Sequence, residues 1–307
     1  MKVMKNILSM IGRTPVIQLK NIDEDSANIF LKLEFVNPGG SIKDRIALQM
    51  IEDAEKDDKI KLGDTLIEAT SGNTGIGIAI VARAKGYKTI IVMPETMSIE
   101  RKNLLQAYGA ELILTDGKDG MAGAIRKMDE LVSIYGYFPL RQFENPSNPK
   151  AHRLHTGPEI IEQLDGKIDA FVAGIGTGGT ITGVGEVLKQ YNSRIHIVGV
   201  EPFDSPVISG GKPGLHMLQG IGAGFIPEIL NTCIYDELTL VTTEQAFETA
   251  RLIAKTDGIL GGISTGATVF AARELAKRMG KEKNIVTIAA SNGERYLSTS
   301  LYNFVNK

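Results

Sequence analysis

The sequence predicts an α/β protein with mainly parallel sheets. Short β-branched runs recur along the 307 residues, each followed by a glycine- or hydroxyl-rich turn and then by a helical segment. Alternation of that kind builds parallel sheets with helices packed over them. Within Tyr87–Met93 the β-branched run also ends in the unbroken apolar stretch Ile90–Met93 rather than alternating. Continuous apolarity is the mark of strands covered on both faces.

The elements follow in chain order. Pro15–Leu19 and Asn28–Leu33 read as early strands that fit either half of the chain. The Pro38-Gly39-Gly40 turn sets Ser41 near a helix start, so Lys43 falls in the first helical turn. The charge run Glu52–Lys59 reads as the solvated end of a helix. Thr65–Ala69 is a strand, and Ile76–Lys85 a small-residue helix. Ser98 caps a helix beginning Ile99–Leu105 that stops near Gly109. Strand Glu111–Leu114 and a helix from Met121 to about Ile134 follow. Later cycles are Ala170–Ala173 into a helix after Gly179, strand Ile195–Val200, and Asn284–Ala289 into a helix over Arg295–Phe304.

The length is about twice the common domain size, so two α/β blocks account for it, with Asn145–Pro149 as the linker. A net charge of -2 gives no electrostatic footprint for nucleic acid or an acidic membrane surface. The single cysteine, Cys233, excludes an intramolecular disulfide and a cysteine-rich zinc site, and a reducing, cytoplasmic setting is expected. Cys233 lies outside the glycine loops and reads as buried or inert. The N-terminal stretch reaches Ser9 and Arg13 before any adequate apolar run, so a signal peptide is not expected. No apolar stretch approaches the roughly 18 residues of a membrane span. The four histidines share no metal-ligand spacing apart from His152/His155, and no metal is expected.

The 34 glycines concentrate the chemistry. Gly174-Ile175-Gly176-Thr177-Gly178-Gly179-Thr180 follows a strand and opens a helix, so its N–H groups converge where the helix dipole favours an anion. It also satisfies G-x-G-x-x-G, with Glu201 about where a ribose-binding acid would sit. On spacing alone a nicotinamide dinucleotide and another phosphate-bearing ligand both remain open. Thr70-Ser71-Gly72-Asn73-Thr74-Gly75 is a second strand-to-helix loop, dense in hydroxyl and amide groups but with no lysine. Such a loop suits a small carboxylate better than a pyrophosphate. Two separate anion cradles fit a cofactor phosphate plus a substrate carboxylate, which a dinucleotide would not need. Lys43, in the first turn of its helix, sits where the dipole lowers an ammonium pKa and favours a nucleophilic amine.

NPGGSIKDR, TSGNTG, GTGGT, QGIGAGFIP from Gln219 and GISTGA from Gly262 stand in this order. Together they resemble the cysteine synthases (O-acetylserine sulfhydrylases) and the related cystathionine β-synthases. The resemblance runs from Ile11 to Ser298. It implies a pyridoxal 5'-phosphate enzyme with two three-layer αβα domains of tryptophan-synthase-β type. Residues 37–147 would form a smaller, mobile domain for the substrate carboxylate, and 1–36 plus 148–307 a larger one for the cofactor phosphate.

By the same resemblance, Lys43 forms the internal aldimine and moves the Cα proton. Gly176, Thr177, Gly178, Gly179 and Thr180 form the phosphate cup, Asn73 meets the ring hydroxyl, and Ser264 faces the pyridine nitrogen. Thr70, Ser71, Gly72, Thr74, Gln142 and Gly222 hold the substrate. A neutral hydroxyl at Ser264 makes the ring a weaker electron sink than an acid would, favouring β-elimination over transamination.

The implied reaction is β-replacement through an α-aminoacrylate, with O-acetyl-L-serine and sulfide giving L-cysteine and acetate as the favoured version. Cystathionine β-synthase activity and a cysteine-consuming, sulfide-releasing reaction giving serine or lanthionine are the alternatives, with a dehydrogenase as a remote one. A homodimer is implied, and the C-terminal tail of serine acetyltransferase is a candidate partner. The chain departs from the family pattern at Ala69 (usually proline), at Leu215-His216-Met217-Leu218 (usually Pro-His-Lys-Ile) and at Ala290-Ser291-Asn292 (usually Pro-Ser-Ser). The middle departure bears on the leaving group and the nucleophile.

Overall fold

Several of the strands are rich in β-branched residues, as in Lys88–Pro94 and Asn284–Ala289, and most of the helices follow a strand after a short loop. The structure, a computed structural model, describes residues 3–20 and 24–302. In chain order the strands and helices are β1 (Val16–Gln18), β2 (Asn28–Leu33), α1 (Lys43–Lys56), β3 (Thr65–Ala69), α2 (Asn73–Lys85), β4 (Lys88–Pro94), α3 (Ile99–Ala107), β5 (Glu111–Thr115), α4 (Gly120–Tyr135) and β6 (Phe138–Pro139). There follow α5 (Ser147–Ala151), a π-turn at His152–Thr156, α6 (Gly157–Gln163), β7 (Ala170–Gly174), α7 (Gly179–Tyr191), β8 (His196–Pro202), β9 (Glu237–Val241), α8 (Thr243–Asp257), α9 (Ile263–Met279) and β10 (Asn284–Ala289). The fold is α/β with mostly parallel sheets. Among the described residues no helix is long and apolar enough to cross a membrane.

The chain divides into two units, one comprising Met1–Ile11 and Asn37–Asn148, the other Gly12–Val36 and Pro149–Lys307. The first carries a wholly parallel sheet in the order β5-β4-β3-β6. Ile67, Ala69, Ile90 and Val92 pack under α4 on one face, while Ile91 and Met93 pack with Ile76 and Ile80 of α2 on the other. The edge strand β6 contains Pro139, which lacks the N–H that a central strand would need.

The second unit has the order β1-β2-β10-β7-β8-β9, in which only the β1–β2 pair is antiparallel. Its core joins Leu31, Val172, Val198 and Ile285 of the sheet to the apolar faces of α8 and α9. Those two helices pack backbone against backbone at Gly266, where an added Cβ would lie 2.0 Å from the Ala246 carbonyl oxygen.

Four expectations change. The grouping of residues 1–36 with the larger unit differs at its start, because the 3₁₀ turn Ile7–Met10 packs on α2 of the other unit's sheet and that segment groups with it through Ile11. The expected linker Asn145–Pro149 is already helical from Ser147, since proline is tolerated in a first helical turn. The expected helix Arg295–Phe304 is only a 3₁₀ turn, Glu294–Tyr296, followed by turns; residues 303 and 304 lie outside the described residues. Arg251 claims the carbonyls of Ser300 and Leu301, and Tyr302 reaches the Gly261 carbonyl, so tertiary contacts replace a helical ladder. Cys233 is exposed, not buried. It follows an Asn231 turn that presents it outward.

Candidate active site

In the first unit the chain after Asn37 turns through Gly40 at φ +71°, a left-handed conformation that glycine adopts without steric cost. Gly39 donates its N–H to the buried Asp44 carboxylate at 2.5 Å. An added Cβ at Gly39 would lie 2.3 Å from Asp44 Oδ1, so only glycine fits. Ser41 Oγ accepts from Lys43 N at 3.2 Å, and α1 begins there. A second close approach fixes Lys43 from behind: a Cβ at Gly77 in α2 would lie 3.0 Å from its carbonyl oxygen. Burial pushes the Lys43 ammonium down to about 8. The cause is desolvation rather than the helix dipole that the sequence suggested.

The second cradle lies in the same unit, at the carboxyl end of β3. Thr70 N–H still reaches across to the Val92 carbonyl at 3.0 Å, and its Oγ1 accepts from Gly72 N at 3.2 Å, leaving its own proton to donate. Arg101 Nη1 holds the Ser71 carbonyl at 2.9 Å. Gly72 caps α2 with no side-chain bond, so the loop delivers the chain directly into the helix N-terminus. Thr74 Oγ1 donates to Gln142 Oε1 at 2.6 Å, linking residues 68 positions apart. That bond uses the Thr74 hydroxyl proton, and the Gln142 side chain also hydrogen-bonds the buried Glu68 carboxylate.

The second unit holds the other expected residues. Gly178 takes φ +83° at the head of α7, where a Cβ would meet Leu230 Cβ at 2.8 Å. At Gly176 a Cβ would lie 2.3 Å from the Gly220 carbonyl oxygen. Backbone therefore packs on backbone along Gly176 and Gly220, just before the N-terminus of α7. Thr177 Oγ1 accepts from Gly179 N at 3.4 Å. Thr180 Oγ1 lies 3.3 Å from His152 Nε2, and His152 Nδ1 lies 3.0 Å from Thr156 Oγ1 within the π-turn.

Ser264, in the first turn of α9, is buried with its Oγ 3.6 Å from where a Gly220 Cβ would stand. Gly222, expected to bind substrate, spends its N–H on the Ile175 carbonyl at 2.9 Å. Its carbonyl lies 2.9 Å from His216 Nε2, whose Nδ1 accepts from Leu218 N. Gly222 therefore shapes the loop and has no N–H left to offer.

Two features correct or extend the sequence reading. Glu201 has no carboxylate free for a ribose: it accepts from Ile208 N at 2.9 Å, from Ser209 N at 2.8 Å and from Ser209 Oγ. The dinucleotide reading of G-x-G-x-x-G loses its second half. Sequence reasoning also passed over Glu68, Gly77 and Arg101, which hold the loop residues in place. The glycine in GIG after TSGNT was a signal for the close approach; Glu68 offered none.

Comparison with known proteins follows this geometry. Residues 7–291 match the family described as pyridoxal-phosphate dependent enzyme. The chain is 59% identical over 305 residues to a cysteine synthase of Staphylococcus aureus (strain Mu50 / ATCC 700699), covering 99% of this chain and 98% of that one. The solved cysteine synthase of Entamoeba histolytica superposes with a TM-score of 0.96 at 43% identity, over 100% of this chain and 93% of the other. A hydrogen sulfide-producing enzyme of Fusobacterium nucleatum superposes with a TM-score of 0.92 at 45% identity, over 96% and 100%.

Proposed function

The chain belongs to the pyridoxal-phosphate-dependent enzyme family, and from that premise we propose that it is a cysteine synthase, replacing the acetoxy group of O-acetyl-L-serine by sulfide to give L-cysteine and acetate. The full-length likeness to cysteine synthases carries this reading. The residues present suit the cofactor. A buried lysine with a lowered pKa can bond its aldehyde, and a helix-opening glycine loop with no room for a Cβ can take its phosphate. A buried serine hydroxyl at the head of α9 can meet its ring.

Bound pyridoxal phosphate supplies an electron sink that stabilises negative charge at the substrate Cα and lets the β-substituent depart. The chain's own residues do the rest. Lys43 Nζ would hold the cofactor and would serve as the base for the Cα proton; at pKa about 8 roughly one amine in ten is neutral at pH 7. The N–H groups at the start of α7, with Thr177 and Thr180, take the cofactor phosphate. Asn73 meets the ring hydroxyl. Ser264 would offer the ring nitrogen a neutral hydroxyl, and a weaker electron sink than an acid would give favours loss of the β-group over transamination. Thr70 Oγ1, the N–H groups opening α2, Ser71 and the Gln142 amide hold the substrate carboxylate; Thr74 acts by orienting Gln142.

Met1–Ile11 with Asn37–Asn148 act as the smaller, mobile carboxylate-binding domain, and Gly12–Val36 with Pro149–Lys307 as the phosphate-binding one. The working protein is a cytoplasmic homodimer, and the tail of serine acetyltransferase is its candidate partner.

A second reading rests on a specific observation. Met217 stands where the family usually carries a lysine, and the 99% exposed Leu215 where it carries a proline, beside the loop that His216 ties to Gly222. A cysteine-consuming, sulfide-releasing reaction would fit such a change. Purified enzyme given O-acetylserine plus sulfide, O-acetylserine or serine plus homocysteine, or cysteine alone separates the readings through kcat/KM and product identity. The first pair should be fastest; rapid sulfide release from cysteine alone with slow cysteine formation would overturn the assignment.

A further inference from the structure

Glu68, on β3 two residues before the Thr70 loop, is 2% exposed and has no part in the chemistry above. Burying a carboxyl costs free energy that an apolar side chain would avoid, so its partners matter. Its Oε2 accepts from Arg141 N at 2.7 Å and its Oε1 from Gln142 N at 3.2 Å. Arg141 stands at φ +51°, a left-handed conformation that is uncommon for a residue with a Cβ. The turn persists there because two successive N–H groups converge on one carboxylate. Downstream, Gln142 is 4% exposed, its carbonyl accepts from Asn148 Nδ2 at 2.8 Å, and its side chain meets both Thr74, at 2.6 Å, and the Glu68 carboxylate itself.

We propose that Glu68 is a positioning residue for the amino-acid substrate: its carboxylate fixes the left-handed turn at Arg141 and so aims the Gln142 amide at the substrate carboxylate. The proposal rests on the carboxylate role given above to Gln142. Only an ionised carboxylate satisfies both N–H groups fully. A glutamine there accepts one and turns its own NH₂ towards the other. Burial also pushes the Glu68 carboxyl up to about 7, so the clamp weakens in mildly acidic solution. The charge that faces it is Arg141, whose guanidinium is paired with Asp129 at 2.7 Å and lies 3.9 Å from Glu144.

The test compares Glu68→Gln, Gln142→Ala and the double variant as holoenzymes. The readouts are the Kd for L-alanine, which has no leaving group and is followed by the cofactor absorbance change, and the KM for each substrate. Glu68→Gln should weaken L-alanine and raise the KM of the amino-acid substrate about tenfold, with the KM of the nucleophile unchanged, because a lost hydrogen bond to a charged group has that size. The double variant should bind no worse than Gln142→Ala alone, since the two act through one contact. In wild type, affinity for L-alanine should fall as pH drops through about 7, and this component should vanish in Glu68→Gln.

If Gln142→Ala binds L-alanine normally, the carboxylate role itself is wrong. If Gln142→Ala is weakened but Glu68→Gln is not, or if their effects simply add, positioning by Glu68 is overturned. Should Glu68→Gln fail to fold, the wild-type pH dependence set against that of Gln142→Ala decides: a pH component present in wild type and absent in Gln142→Ala supports the clamp, and an identical component in both refutes it.

Discussion

Gly176→Ala tests whether the glycine loop at the head of α7 is a cofactor cup. The added Cβ would stand 2.3 Å from the Gly220 carbonyl oxygen, against an ordinary contact of 3.4 Å, so one backbone segment must retreat by about 1 Å. Both segments are main chain, and neither can yield by turning a rotamer. A retreat of that size takes at least one N–H of the cup out of hydrogen-bond range of an anion. A hydrogen bond to a charged group is worth about 1.5–3 kcal/mol, which corresponds to about a 10- to 150-fold rise in the dissociation constant for pyridoxal phosphate. The assay is titration of the apoprotein with the cofactor, followed by fluorescence. Gly185→Ala is the control, because its Cβ would crowd Ile234 Cγ1 at 2.8 Å on the same helix. That variant should lose thermal stability and keep its cofactor affinity. Wild-type cofactor affinity in a folded Gly176→Ala, or an equal loss in Gly185→Ala, would refute the cup.

Capture of pyridoxal phosphate by the apoprotein should quicken about fivefold from pH 7 to 8 and less than twofold beyond, because only the neutral Lys43 amine reacts and its pKa is about 8. Lys43→Ala should neither capture the cofactor nor turn over, and unimpaired steady-state activity would sink the assignment. For Glu68 the folded pKa of about 7 lies above the ordinary 4.5, so folding favours the protonated form. This contribution is fully present below about pH 4.5 and is lost as pH rises through 7, costing about 3 kcal/mol by pH 8. Urea unfolding from pH 5 to 8 should show that loss in wild type and not in Glu68→Gln. Cys233 is the sole thiol and exposed, so a maleimide should label one site per native chain without loss of activity; inactivation on labelling would contradict its place outside the site.

Local signals made much of this legible. Ser98 does cap α3, its side chain accepting from Arg101 N, and the apolar stretch Ile90–Met93 does become part of the buried central strand β4. The glycine loops were visible because a strand, a turn of small residues and a helix follow one another without interruption. What escaped is what the chain settles at long range. The Thr74–Gln142 bond spans 68 positions, and no local pattern in TSGNTG or RQF announces it. β6 is two residues long and exists only because Leu66 and Ile67 pair with it. Glu201 stood at the right spacing for a ribose, yet its carboxylate serves a neighbouring turn, a choice that only three dimensions reveal. Proline at 149 looked like a break and instead sits in the first turn of a helix.

The pairing of β2 with β10 sets a timetable for the chain as it is made. Leu33 pairs with Ala289 and Asn28 with Asn284, so the central partner of β2 emerges about 250 residues after it. At roughly 5–20 residues per second that is about 12–50 s of waiting. During that interval β2 has only the three-residue β1 as a neighbour, and Leu31, fully buried in the finished sheet, has no cover. The unit built around β3–β6 is nearly continuous in sequence and needs no such delay, so it can mature on the ribosome while the other half stays open. A nascent chain of this topology leaves its N-terminal strand uncovered longest, until the second unit's sheet can close.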